Sequence, residues 1–250
     1  MGSAGQALPC CLVTVAPSTP VVTVVRMDDE VPLDRFADWL DGVRVRLVRA
    51  DLGEDPGPAS ELDGLIVLGG RMSAHDDQLP QVPAARALLA DAVAAGVPTL
   101  GICLGAQLLA VATGGRVHVD APPGREAGAV ALHWRPEATG DPVLGELAGD
   151  RGVLMPTMHS DAVVDLPRAG VWLAASPMYP YQAFRIGSAW GVQFHPEASP
   201  ELMRRWAELD QLPADEAEAM VEQATAADDR VARDGRTLAR AFAAQVRAAA

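Results

Sequence analysis

A cysteine flanked by two glycines at the junction of a predicted strand and a predicted helix limits the possible folds more than any other feature. The segment GICLG covers residues 101–105, after the apolar run 97–102 and before a helical stretch at 104–113. A turn this tight accepts only small neighbours and directs Cys103 away from the backbone, as in the nucleophile elbow of α/β enzymes. From these residues alone, a buried structural cysteine is an equally good interpretation.

The helix that follows Cys103 affects the charge state of this thiol. The positive end of the helix dipole favours the thiolate form. The same turn leaves backbone N–H groups free, and that of Leu104 is positioned to receive an oxyanion. Cys103 is therefore a candidate nucleophile, and Leu104 a candidate oxyanion donor.

Strands and helices alternate through the first half of the chain, which predicts an α/β fold with a doubly wound, mostly parallel sheet. Apolar or alternating runs predict strands at 21–26, 43–48, 62–68, 97–102, 129–134, 171–176, 182–186 and 189–194. Helical patterns cover 31–41, 83–95, 104–113 and 142–147.

The last part of the chain has a different composition. Ala, Glu, Asp and Arg dominate it, with an apolar stripe that includes Met220, Val221, Leu238 and Phe242. We expect a main domain at residues 1–210 and a helical extension at 211–250, with helix breaks at Pro213 and Gly235. The stripe must be buried. Packing against the same domain is the preferred interpretation, and docking of a synthetase or a second copy is the alternative.

Composition excludes several functions. The net charge is −13, which argues against binding to nucleic acid or to an anionic membrane. Every basic residue is Arg, so neither Schiff-base chemistry nor a P-loop lysine is available. The three cysteines (Cys10, Cys11 and Cys103) form no even-numbered disulfide framework, and no apolar run reaches membrane-spanning length. We expect a cytoplasmic protein.

A second motif, His195-Pro196-Glu197, follows the apolar run 189–194. A cysteine nucleophile needs a base, and the base needs a carboxylate that orients it. Residues i and i+2 of an extended backbone point to the same side, so Glu197 can reach the His195 ring. Alone, this tripeptide is more simply a surface turn. With the elbow, it favours a Cys–His–Glu triad.

Together, GICLGAQLLA, GVQFHPE and the LGGRMS turn make the chain resemble class I glutamine amidotransferases over about residues 20–205. These are the glutaminase domains of GMP synthetase, carbamoyl-phosphate synthetase and anthranilate synthase. The resemblance implies a flavodoxin-like amidotransferase fold and a stand-alone, GMP-synthetase-like glutaminase domain. It makes Cys103 the nucleophile, His195 the base and acid, and Glu197 the orienting residue. It also implies that Gly70 supplies the second oxyanion N–H beside that of Leu104.

The resemblance assigns substrate-binding residues as well. Gln107 matches the glutamine that lies over the substrate, and the backbone of Ser160 and Asp161 matches the segment that holds its amino-acid end. The sequence departs from the family pattern at Arg71, Ala106 and Ser160, which bears on substrate preference. His159 fits either this substrate loop or a structural role.

In the expected reaction, Cys103 attacks the side-chain amide of glutamine and ammonia is released. A separate ATP-dependent synthetase subunit would transfer this ammonia to an unidentified acceptor. A γ-glutamyl amide hydrolase without an acceptor and a silent regulatory subunit are the alternatives. We expect no cofactor and no metal, because no further His/Cys cluster accompanies His75, Asp76 and Asp77. Oligomers are possible.

Overall fold

The computed structural model describes residues 19–149 and 152–250, so Cys10 and Cys11 lie outside the described residues. The strands are β1 Val21–Arg26, β2 Arg44–Arg49, β3 Gly64–Val67, β4 Thr99–Ile102, β5 Arg116–His118, β6 Glu126–Ala131, β7 His133–Trp134, β8 Leu154–His159, β9 Ala162–Asp165, β10 Val171–Ala175, β11 Ala183–Ile186 and β12 Ala189–Val192. The α-helices are α1 Phe36–Trp39, α2 Gln81–Ala95, α3 Leu104–Ala112, α4 Pro200–Leu209 and α5 Ala214–Ala249.

Eight strands form one sheet in the order β2-β1-β3-β4-β12-β11-β10-β7. The first five in this order pair in parallel, and the last three add as antiparallel neighbours. The predicted α/β fold with a mostly parallel sheet is confirmed. Two small antiparallel pairs, β5–β9 and β6–β8, lie outside this sheet.

The central strands β3 and β4 are buried throughout, since helices cover both faces of the sheet. Alternate residues point to opposite faces. Leu65 and Val67 pack in the cluster that contains residues of α2 and α3. Ile66 packs on the other side, in the cluster that contains residues of α1 and α5.

The helix predicted at 31–41 is wrong except for one turn at Phe36–Trp39. Asp34 has a φ of 44°, outside the helical region, and its carboxylate accepts a hydrogen bond from the backbone N–H of Ser199. A contact with a distant residue therefore replaces the helix that the local pattern favours.

The prediction for the middle of the chain is also partly wrong. Residues 142–147 form turns, in which the Leu144 carbonyl accepts from the N–H groups of both Leu147 and Ala148. The Asp141 carboxylate begins this segment as a helix N-cap does, and it also binds Arg185 and Trp190. The strand predicted at 129–134 is divided between β6 and β7, and β5, β8 and β9 were not predicted.

The helical extension is a single helix beyond Pro213. α5 runs without interruption from Ala214 to Ala249, so the break predicted at Gly235 is wrong. Leu238 and Phe242 are fully buried in the cluster that contains α1, and Met220 packs with residues of α4. The apolar stripe is thus buried within this chain, as preferred above. The division into domains at residue 210 stays a prediction.

In the described part of the chain, no helix is both long enough and apolar enough to cross a membrane.

Candidate active site

Cys103 occupies the sharp turn between β4 and α3, with φ 50° and ψ −107°. A positive φ is unfavourable for a residue with a side chain, and such strain clusters at functional sites. Both flanking glycines are needed sterically. A Cβ at Gly101 would lie 2.5 Å from the carbonyl oxygen of Gly105, and one at Gly105 would lie 2.0 Å from that of Val67. Close contacts between backbone segments therefore leave no room for a side chain on either side of Cys103.

The sheet brings His195 to the same place. β12 lies parallel to β4 with Val192 opposite Ile102, so the residues after both strands meet at one edge of the sheet. A side chain at Gly69 would reach both groups, since its Cβ would lie 3.0 Å from His195 Cε1 and 3.5 Å from Cys103 Cβ. The thiol and the imidazole are therefore neighbours.

Glu197 binds the far side of the imidazole. Its Oε1 lies 2.7 Å from His195 Nδ1, and both side chains are almost completely buried. Glu197 Oε2 is buried and has no hydrogen-bond partner among the described residues. The structure thus brings Cys103, His195 and Glu197 together in that order, with the imidazole in the middle.

The charges of these groups are coupled. Burial acts most strongly on His195 and lowers its pKa, but attraction by Glu197 and by Cys103 outweighs burial and raises the pKa to about 10. An imidazole with this pKa carries a proton at neutral pH. A protonated ring next to the thiol favours the thiolate.

An aromatic side chain that the sequence analysis missed covers the imidazole. The Trp206 ring, on α4, lies 4.5 Å from that of His195 between centroids, and Trp206 Nε1 donates to the carbonyl oxygen of Glu30. The indole is thus fixed at its polar end and packs against His195 with the two rings tilted by 56°. No motif marks this tryptophan, because the contact joins α4 to a loop.

A cavity of about 250 Å³ opens beside Cys103. Six residues predicted for the site line it: Gly70, Cys103, Gln107, Ser160, Asp161 and His195. Leu104 directly follows the nucleophile, and a Cβ at Gly70 would lie 3.0 Å from its Cδ2. The two predicted oxyanion donors therefore lie on adjoining segments beside the thiol.

Two buried amide side chains connect the cavity wall to the sulfur. Gln107 Nε2 lies 3.0 Å from the carbonyl oxygen of Asp161 and 3.2 Å from Gln193 Oε1. Gln193 Nε2 lies 3.5 Å from Cys103 Sγ. Gln193 belongs to the GVQFHPE motif, but no role was predicted for it. The available signal was a polar residue within the apolar run 189–194.

His159 is held from both sides. Its Nδ1 lies 3.0 Å from the carbonyl oxygen of Asp161, and its Nε2 lies 3.1 Å from the carboxylate of Glu126. That carboxylate also accepts hydrogen bonds from Ser176 and Gln182. With both ring nitrogens engaged, His159 has the structural role of fixing the turn at 159–161.

Arg71, which departs from the family pattern, forms a salt bridge within the chain. Arg71 Nε lies 2.9 Å from Asp28 Oδ2, and the guanidinium is about half exposed at the cavity wall. Burial, the largest influence, raises the pKa of Asp28, but hydrogen bonds from Arg71 and from backbone N–H groups lower it overall. Arg71 is therefore held by an ionised carboxylate.

The three residues considered for a metal have separate partners. His75 Nε2 contacts the carbonyl oxygen of Val117, Asp76 accepts from Ser73, and Asp77 pairs with Arg86. Within residues 19–149 and 152–250, no group of three or more His, Cys, Asp or Glu side chains is arranged to hold a metal ion.

Comparisons with known proteins agree on one family. A family model described as glutamine amidotransferase class-I matches residues 40–207. A GMP synthase (glutamine-hydrolysing) from Thiobacillus denitrificans is 33% identical over 168 residues, which are 64% of this chain and 30% of the relative. One from Psychrobacter arcticus is 34% identical over 139 residues, covering 54% of this chain and 24% of the relative. The chain thus spans about a quarter of the length of these relatives.

Two solved structures resemble the whole fold. A glutamine amidotransferase from Thermotoga maritima has a TM-score of 0.78 at 26% identity and covers 89% of this chain and 97% of that one. A glutamine amidotransferase from Methylobacillus flagellatus has a TM-score of 0.77 at 30% identity, with coverages of 92% and 95%. Both resemblances extend well beyond the residues of the motifs.

Proposed function

We propose that this chain, which belongs to the class I glutamine amidotransferase family, hydrolyses glutamine and releases ammonia through a γ-glutamyl thioester on Cys103. The family and the enzyme class predicted from the elbow and the His-Pro-Glu motif are confirmed. The observation that carries the proposed mechanism is the order of side chains: a strained thiol, an imidazole beside it and a carboxylate on the far nitrogen.

In the first half of the reaction, the Cys103 thiolate attacks the amide carbon of the substrate. The carbonyl oxygen becomes an oxyanion that receives hydrogen bonds from the N–H groups of Leu104 and Gly70. Each such donor lowers the barrier by roughly 3 kcal/mol. Protonated His195 gives its proton to the departing nitrogen, and ammonia leaves as the carbon–nitrogen bond breaks.

In the second half, neutral His195 takes a proton from water. The resulting hydroxide attacks the thioester carbon, the carbon–sulfur bond breaks, and glutamate leaves with Cys103 again a thiolate. Glu197 holds the ring in position and stabilises its positive charge in both halves. The raised pKa of His195 supports this cycle, because the resting enzyme then begins with the proton already on the acid.

Substrate binding follows from the cavity wall. Gln107 lies over the substrate, and the backbone of Ser160 and Asp161 holds the amino-acid end of glutamine. Their position supports this role, since all three line the cavity beside Cys103. The hydrogen bonds of His159 hold the same turn, which supports a preformed binding loop.

A separate ATP-dependent synthetase subunit is the proposed consumer of the ammonia, in an acceptor reaction that is unidentified. The GMP synthases that this chain resembles are glutamine-hydrolysing, and this chain matches only about a quarter of their length. We place the enzyme in the cytoplasm, where reducing conditions keep the Cys103 thiol free. The alternatives are a γ-glutamyl amide hydrolase that needs no acceptor and a silent subunit.

Labelling with a glutamine-like diazoketone, followed by peptide mapping, tests the nucleophile. We expect the label on Cys103 alone and no ammonia release by Cys103→Ala, with unchanged far-ultraviolet circular dichroism. Cys10→Ala and Cys11→Ala are matched controls that keep full activity. Label on either of those residues, or an active Cys103→Ala, would overturn the assignment. Amine release from γ-glutamyl amides faster than ammonia release from glutamine would favour the hydrolase alternative.

A further inference from the structure

We infer that Gln193 is a second positioning residue for the nucleophile: its side-chain N–H donates to Cys103 Sγ, and a relay through Gln107 anchored on the Asp161 carbonyl holds it there. The inference rests on the proposed role of Cys103. It adds a hydrogen-bond donor to the sulfur that lies outside the Cys–His–Glu triad.

The direction of each hydrogen bond in the relay follows from donor and acceptor chemistry. The carbonyl oxygen of Asp161 can only accept, so the Gln107 atom that lies 3.0 Å away is the amide nitrogen. That nitrogen is also 3.2 Å from Gln193, which must therefore present its oxygen. The other end of the Gln193 amide, 3.5 Å from Cys103 Sγ, is then the NH₂ group. One backbone carbonyl thus fixes the orientation of both side chains.

The contact between the Gln193 amide and Cys103 Sγ is strengthened by its burial. Gln107 is 3% exposed, Gln193 2% and Cys103 6%. A charged sulfur in such surroundings depends on the hydrogen bonds of the protein, because little water reaches it. Hydrogen bonds to charged groups are stronger than those between neutral groups. The Gln193 amide therefore stabilises the thiolate more than the thiol and limits the direction in which Sγ points.

The anchor of the relay belongs to the proposed substrate loop. The Asp161 carbonyl accepts hydrogen bonds from Gln107 Nε2 and from His159 Nδ1. His159 is in turn bound to the buried Glu126 carboxylate. A continuous series of hydrogen bonds therefore runs from Glu126 to the nucleophilic sulfur. A displacement of the 159–161 turn would be transmitted to the Gln193 amide.

Alkylation of Cys103 by iodoacetamide, followed from about pH 5 to 9, tests this inference in the full-length protein. Gln193→Met keeps the side-chain length and removes the N–H. We expect the pH of half-maximal alkylation to rise by about one unit and the rate on the acidic side to fall about tenfold. The ionisable groups that line the cavity (Arg71, Asp120, His159, Asp161, His195 and Asp210) are unchanged in the variant.

Two further variants complete the experiment. Gln78→Met, at an exposed glutamine, is the matched control and should alkylate like the wild type. Gln107→Met keeps Gln193 but removes its anchor, so its profile should lie between those of the wild type and Gln193→Met.

A folded Gln193→Met that alkylates at the wild-type rate across the pH range would overturn the inference. If thermal melts show that Gln193→Met does not fold, Gln107→Met decides: a wild-type profile overturns the inference and a shifted one supports it. Alkylation needs no glutamine. A failure of the proposed thioester mechanism would therefore appear in the ammonia assay and leave this test valid.

Discussion

A Cβ at Gly235 would lie only 2.2 Å from the carbonyl oxygen of Pro196. α5 therefore passes directly against the residue that joins His195 to Glu197. Glycine inside a helix costs roughly 0.5–1 kcal/mol relative to alanine. At this position the close approach of two backbones, and not helix propensity, determines which residue fits.

Gly235→Ala should lower both stability and turnover. Helix propensity favours alanine by up to about 1 kcal/mol, but an overpacked contact costs about 1–3 kcal/mol, and backbone atoms cannot rotate out of the way. We expect a lower midpoint of denaturant unfolding and a lower kcat, because Pro196 must move. Gly140→Ala is the control, since a Cβ there meets no atom within 4 Å. A stabilised and fully active Gly235→Ala would contradict this reading of the contact.

The strain at Cys103 predicts an unusual order of stability for two inactive variants. Cys103→Gly should be more stable than Cys103→Ala, although glycine usually destabilises folded proteins. A side chain at φ 50° stores about 1–3 kcal/mol, whereas the extra flexibility of glycine in the unfolded chain costs roughly 0.5–1 kcal/mol. Urea unfolding of both variants measures the difference. Greater stability of Cys103→Ala would mean that the turn is unstrained.

Glu197→Gln should reduce kcat at least tenfold, about 1.4 kcal/mol of barrier, and leave KM for glutamine little changed. The amide cannot stabilise the positive charge of His195. Glu201→Gln, an exposed carboxylate on α4, is the matched control. A smaller loss of turnover would show that Glu197 does not orient His195.

The raised pKa of His195 predicts how the free energy of unfolding depends on pH, and Glu197→Gln provides the comparison. The pKa of His195 is raised to about 10 in the folded protein, from 6.5. The resulting stabilisation is complete below about pH 6.5 and is lost as the pH rises through about 10. The free energy of unfolding of the wild type should therefore exceed that of Glu197→Gln most clearly near pH 6. By about pH 9 the difference should shrink by more than about 1 kcal/mol. A constant difference would contradict the raised pKa.

The helical extension is predicted to stabilise the domain. Phe242→Ala removes a fully buried ring from the cluster that includes Phe36 and Trp39, and should cost about 3–5 kcal/mol. Glu222→Ala, on the exposed side of α5, should change stability by less than about 0.5 kcal/mol. Thermal melts with light scattering check both. A wild-type melting temperature for Phe242→Ala would instead favour docking as the function of α5.

Features that depend on local chemistry were predictable from the sequence. The elbow needs glycine on both sides of Cys103 because of contacts within a few residues of the turn and with the adjoining strand. His195 and Glu197 lie two residues apart, so their meeting needs only an extended backbone. The end of α2 at Gly96, with a φ of 74°, follows from the same kind of local rule.

Features that depend on contacts between residues far apart in the chain were not predictable from the sequence. The helix expected at 31–41 is limited by the bond between Asp34 and Ser199, which are 165 positions apart. Gly235 has the local pattern of a helix break, but α5 continues because packing along its length outweighs a single unfavourable residue. The donor to Cys103 was missed for a similar reason, since Gln193 lies 90 positions further along the chain.

The position of α5 also determines when during synthesis the site can become active. Arg240 binds Asp41 across 199 residues, and the helix covers a face of the sheet built mostly from earlier segments. At a synthesis rate of roughly 5–20 residues per second, about 10–40 s pass between the synthesis of Asp41 and that of Arg240. This face of the sheet cannot be covered by α5 during that time. Because Pro196 also lacks its contact with Gly235 until α5 has folded, glutamine hydrolysis should begin only after α5 has emerged from the ribosome.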